Sequence, residues 1–86
     1  MEIKLYVRTG DPYSDMLRNL LKFHNIVFDT IEISRDAEKR REMYEISGQY
    51  GTPVIKIGDK VFSGFDREKI KEVLGINGKE DNNAIE

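Results

Sequence analysis

The sequence predicts a small α/β domain with the element order β-α-β-α-β-β-α, built on one four-stranded mixed sheet with helices on both faces. Residues 2–8, EIKLYVR, alternate Ile3, Leu5 and Val7 against charged or polar neighbours, and a helical apolar spacing follows at once. Residues 26–33, IVFDTIEI, are β-branched and aromatic and lead into a second helical stretch. PVIKI and KVFS flank Gly58-Asp59, the signal of a two-residue hairpin. Two strands joined through a helix run parallel with a right-handed crossover, and the hairpin adds two antiparallel strands. One four-stranded mixed sheet with helices on its faces is the compact solution, and the strand order expected from this pattern is 2-1-3-4.

Each element has its own signals. After the first strand the chain turns through Gly10. Asp11 is a good N-cap and Pro12 suits the first helical position. Met16, Leu17, Leu20 and Leu21 recur at helical spacing. His24-Asn25 is a stop, because Asn tolerates the left-handed conformation. The second strand is expected over 26–33, with Ser34 capping the next helix. DAEKRREMYEI is helical by propensity and ends at Ser47-Gly48. Its apolar stripe is thin (Ala37, Met43, Tyr44 and Ile46), so it is expected on the surface with Glu–Arg pairs outward. Asp66 caps a last helix whose inward face is Ile70, Val73 and Leu74, and Gly75 stops it. From Asn77 the chain loses periodicity. The expectation is a domain over 1–76 and a disordered tail over 77–86.

Composition narrows the function. In 86 residues, 38% hydrophobic and 35% charged side chains allow one core under a charged surface. No apolar run approaches the roughly 20 residues that span a bilayer, and MEIKLY does not read as a signal peptide. A net charge of −2 gives no general attraction to nucleic acid or anionic membranes. The basic run Lys39-Arg40-Arg41 lies between Glu38 and Glu42, as on a solvated helix face. The absence of cysteine excludes disulfides, thiolate metal sites and cysteine nucleophiles. The one histidine, His24, leaves little for metal clusters or His–Ser pairs and fits a surface role complementing a helix dipole. A soluble, cytoplasmic monomer without metal or resident cofactor is expected.

Four segments carry a resemblance to a known family. Asp11-Pro12-Tyr13-Ser14 resembles the C-P-Y-C of glutaredoxins with both cysteines replaced, and Arg8 stands where those proteins often carry a basic residue. GQYGTPV resembles the family's Gln-x-x-x-Pro-Val segment, with Gln49, Thr52 and Pro53 in place. SGFD resembles the turn that opens the family's last helix, with Gly64, Phe65 and Asp66 in place. The resemblance runs from Met1 to about Ile76 and implies the thioredoxin fold. It also implies a groove for glutathione or an extended peptide. Tyr13 would edge it, and Arg8 and Gln49 would take the glycine carboxylate. A cis Thr52-Pro53 bond would offer the main chain of Thr52 to the ligand. Gly64, Phe65 and Asp66 would take the γ-glutamyl end.

At the reactive positions the resemblance breaks. Glutaredoxins attack disulfides with a thiolate whose pKa the helix N-terminus lowers. Neither Asp11 nor Ser14 can form a mixed disulfide, so no catalytic residue is assigned. For Asp11, helix capping competes with a role as general base or cation anchor, and capping itself lowers the pKa and weakens a base. Tyr13 is a surface aromatic or a groove edge. Pro53 opens a strand or forms the cis peptide. Asp66 is an N-cap, a ligand for an amine, or both. Three readings compete. The first is a non-catalytic glutathione- or peptide-binding member of the family. The second is a cysteine-substituted form of an active glutaredoxin, although aspartate is an unusual substitute. The third, a glutathione transferase, ranks last because the helical second domain of such enzymes is missing.

Overall fold

The computed structural model describes residues 1–76; the expected tail, 77–86, lies outside the described residues. The elements follow the expected order: β1 (Ile3–Val7), α1 (Pro12–Phe23), β2 (Asp29–Glu32), α2 (Ala37–Ser47), β3 (Val54–Ile57), β4 (Lys60–Ser63) and α3 (Arg67–Leu74). The sheet order is β2-β1-β3-β4. β1 pairs parallel with β2 through Lys4–Asp29 to Val7–Glu32, and antiparallel with β3 through Ile3–Ile57 to Tyr6–Val54. The hairpin turns at Gly58-Asp59, with Ile57 opposite Lys60 and Gly58 at a φ of 62°.

The sheet buries both faces. One face joins Ile3, Leu5, Val7, Ile55 and Ile57 to Leu17, Leu20 and Leu21 of α1 and Ile70 of α3. On the other, Tyr6 and Val54 pack with Ile33 and with Met43 of α2. Tyr6 therefore corrects the expectation of one buried strand face: its ring is core and its hydroxyl donates to Glu42 Oε2. Burial and the Glu42 carboxylate push that phenol's pKa up, and the same hydrogen bond holds Glu42 below the usual carboxylate range.

Two expected boundaries move. β2 begins at Asp29 rather than at 26; Ile26 and Phe28 still pack on the α1 side of the core, whereas Val27 is exposed. The N-cap of α2 is Asp36, not Ser34: Asp36 Oδ1 accepts from Glu38 N at 3.1 Å and Lys39 N at 3.2 Å. Of the thin apolar stripe on α2, Met43 is buried and Ile46 half-buried, while Ala37 and Tyr44 are exposed. Ion pairs Lys39–Glu42 and Arg41–Glu45 lie along the helix at 3.7 Å. On α1, Met16 is exposed while Leu17, Leu20 and Leu21 are buried. Among the described residues no helix is long and apolar enough to cross a membrane.

Candidate functional site

The site forms where β1 hands over to α1. Asp11 N donates to Arg8 O at 3.2 Å across a turn in which Gly10 has a φ of 86°, a conformation that favours glycine. The turn leaves Asp11 extended at the N-cap of α1, with Pro12 opening the helix. Asp11 Oδ1 accepts from Tyr13 N at 3.0 Å. Its Oδ2 accepts from Ser14 Oγ at 2.9 Å and also from Thr52 Oγ1. One carboxylate thus joins the start of α1 to the loop before β3. Partial burial acts to raise the Asp11 pKa, but the hydrogen bonds from Thr52, Ser14 and the Tyr13 N–H outweigh it and hold the pKa below the usual carboxylate range. An ionised, fully engaged carboxylate is a poor general base. Ser14 is completely buried and its hydroxyl is committed to Asp11.

The Thr52–Pro53 peptide is cis. Pro53 O accepts from Gly64 N at 2.8 Å, which brings the turn before α3 beside this segment. No hydrogen bond joins the main-chain N–H or C=O of Thr52 to another described residue. Thr52 is half-buried, and its side chain reaches down to Asp11.

The remaining residues expected in the groove have partners of their own. Arg8 Nη2 donates to Tyr50 O at 2.8 Å. The Gln49 amide closes on the main chain of Gly51, donating from Nε2 to its carbonyl at 3.0 Å and accepting from its N–H at Oε1 at 2.8 Å. A Cβ on Gly51 would stand 2.8 Å from that Oε1, so glycine fits the closure. Gln49 must leave these bonds to meet a ligand carboxylate. Tyr13 stands 58% exposed on the first turn of α1. Phe65 packs against the core, and Asp66 Oδ1 accepts from Lys69 N at 3.1 Å as the N-cap of α3.

Two features near the site escaped the sequence reading. Thr9 N donates to Glu32 Oε1 at 2.8 Å and to Ser34 Oγ at 3.0 Å, and Ser34 Oγ donates to the same Glu32 oxygen at 2.9 Å. The Thr9 hydroxyl also donates to that oxygen. This knot ties the loop before Asp11 to the end of β2. Partial burial opposes ionisation of Glu32, yet the hydrogen bonds from Thr9 and Ser34 prevail and lower its pKa to about 2. The second feature is a stack of Tyr44 on Tyr50, with centroids 4.5 Å apart and planes 18° from parallel. The knot depends on the register that sets Val7 opposite Glu32, and nothing local in the sequence pairs Tyr44 with Tyr50.

This arrangement defines a thioredoxin-fold protein whose first helix starts on a carboxylate and a buried hydroxyl, in a chain without thiols. The glutaredoxin family model matches residues 3–62, and the chain belongs to the glutaredoxin family. The chain is 32% identical over 72 residues to an uncharacterised glutaredoxin-like 8.6 kDa protein in the rubredoxin operon of Clostridium pasteurianum, covering 84% of this chain and 96% of that one. The crystal structure of a mutant thioredoxin-like protein superposes with a TM-score of 0.83 at 26% identity, over 88% of this chain and 97% of the other. The glutaredoxin from Archaeoglobus fulgidus superposes with a TM-score of 0.77 at 29% identity, over 85% of each chain.

Proposed function

We propose that the chain is a non-catalytic member of its family that binds glutathione or an extended peptide along the groove between α1 and the Thr52–Pro53 segment. The observation that carries this reading is the open main chain of Thr52 beside an ionised Asp11. An unpaired N–H and C=O suit an extended ligand that adds itself as a strand. The carboxylate removes the nucleophile without removing the surface around it. Arg8, Tyr13, Gln49 and the segment Gly64–Asp66 complete the groove, with Gln49 released from Gly51 on binding. In this reading the protein acts as a cytoplasmic monomer, where glutathione is reduced and abundant.

The test is an NMR titration of isotope-labelled protein with reduced glutathione. The expected result is a set of saturable shifts at Arg8, Tyr13, Gln49, Thr52 and Gly64–Asp66. Spectra that do not move, or shifts spread away from these residues, would overturn the reading.

A further inference from the structure

We propose that Asp11 is the positioning residue of the groove: through the Thr52 hydroxyl it clamps the Thr52–Pro53 segment to the start of α1. The clamp thereby sets the direction in which the Thr52 N–H and C=O face a ligand. This rests on the reading of the groove as a binding surface and adds the device that shapes it.

Three observations converge on the clamp. The carboxylate is fixed before it meets Thr52, since Oδ1 is held by the Tyr13 N–H and Oδ2 by the Ser14 hydroxyl, itself buried. The Thr52 hydroxyl donates to that same Oδ2 from 41 residues away in the chain, so the bond joins two elements rather than finishing a local turn. The segment it holds is supported on each side but not at Thr52 itself. Gly51 is tied to Gln49, Tyr50 to Arg8, and Pro53 to Gly64, whereas among the described residues the Thr52 main chain makes no bond of its own. Among the described residues, the side chain of Thr52 is therefore the one polar tie at the residue that would pair with a ligand.

A hydroxyl donating to a carboxylate makes a charge-assisted bond, stronger than one between neutral groups. A capping role for Asp11 requires only the Tyr13 N–H and says nothing about Thr52. The two roles separate experimentally, because Thr52 can lose its hydroxyl while Asp11 keeps its cap.

The experiment measures amide hydrogen exchange and reduced-glutathione titrations on the full chain as Thr52→Val and Thr52→Ser. Thr52→Val keeps the side-chain shape and removes the donor; Thr52→Ser restores the donor. The expected result is exchange about tenfold faster at residues 49–52 in Thr52→Val, the scale of one lost charge-assisted bond, with α1 unchanged. Glutathione affinity should fall in parallel, and Thr52→Ser should return both to wild-type values. Unchanged exchange in Thr52→Val would overturn the clamp. Faster exchange through α1 as well would also overturn it, since the bond would then serve general stability. A looser loop with unaltered glutathione affinity would overturn the positioning role. If glutathione binds none of the forms, the binding reading fails, while the exchange data still decide the clamp. Should Thr52→Val not fold, Asp11→Asn gives the same exchange test, with a smaller rise expected because the amide Nδ2 can still donate a neutral hydrogen bond to the Thr52 hydroxyl oxygen.

Discussion

Asp11 was readable as a helix cap because its type and its place before Pro12 suffice for that. Its bond to Thr52 was not readable, because Thr52 lies 41 residues away in the chain and only the fold brings it to Asp11. The charge at this position makes a pH-dependent prediction. The thiol of free glutathione ionises near an ordinary pKa of about 8.5, and in the groove its thiolate would face the Asp11 carboxylate, which raises that pKa. Binding of reduced glutathione should weaken as pH rises from 7 to 9.5, while S-methylglutathione should bind with a flat profile. Asp11→Asn should remove most of that pH dependence, which is worth about 1 kcal/mol, the repulsion of two unit charges near 4 Å under water-like screening. Identical profiles for the two ligands in the wild-type protein would mean that the sulfur does not approach Asp11. Glu32 makes a second prediction at this scale. Its folded pKa of about 2 lies below the ordinary value of 4.5, so the stability it contributes is fully present above 4.5 and is lost as pH falls towards 2. Urea midpoints of Glu32→Gln should be lower than wild type at pH 6 and should draw close to it as pH falls through about 2.

At the scale of elements, the hairpin, the three helices and the strand order were all legible. Each rests on local chemistry: a Gly-Asp turn, caps at Asp11 and Asp66, left-handed Gly48 and Gly75, and helical or alternating apolar spacing. The misreadings fall where tertiary partners decide. Ser34 is a good capping type, but Glu32 and Thr9 claim it, and the chain turns through Ser34-Arg35 before Asp36 meets the free amides of α2. Tyr6 alternates with apolar residues as if it faced water, yet α2 covers that face and supplies Glu42 to its hydroxyl. The strand over 26–28 is missing because only 29–32 lie opposite β1. Asp36→Ala should therefore destabilise the protein by about 0.5–2 kcal/mol, the usual worth of a cap, whereas Ser34→Ala should leave the amides at the start of α2 protected. Denaturation by urea with hydrogen exchange at Glu38 and Lys39 checks both. Loss of protection in Ser34→Ala would return the cap to Ser34.

For the whole molecule, the question is how much of a thiol-exchange site survives around Asp11 and Ser14. The chain as it stands has no thiol and should show no glutathione-coupled disulfide reduction. The double substitution Asp11→Cys with Ser14→Cys should restore it. The start of α1 would offer Cys at position 11 the Tyr13 N–H that now meets Asp11, and with it the positive end of the helix, so its thiol pKa should fall below the ordinary value. Position 14 is buried one turn on, with its side chain already directed at residue 11, as a partner sulfur must be. Thr52 would lose its carboxylate acceptor, and the cap would weaken, at a cost of about 0.5–2 kcal/mol. The thirteen buried apolar residues of the core are spread over both sheet faces and are left unchanged by the two substitutions, so the fold should persist. The measurement is reduction of a small glutathione mixed disulfide by the double variant, with maleimide reactivity of the introduced thiol followed against pH. Activity with a lowered thiol pKa would mean that the loss of two sulfurs alone separates this chain from thiol exchange. A folded, inactive variant with an ordinary thiol pKa would mean that the surroundings have changed with the site, and that the clamp at Thr52 has been built at the expense of the older geometry.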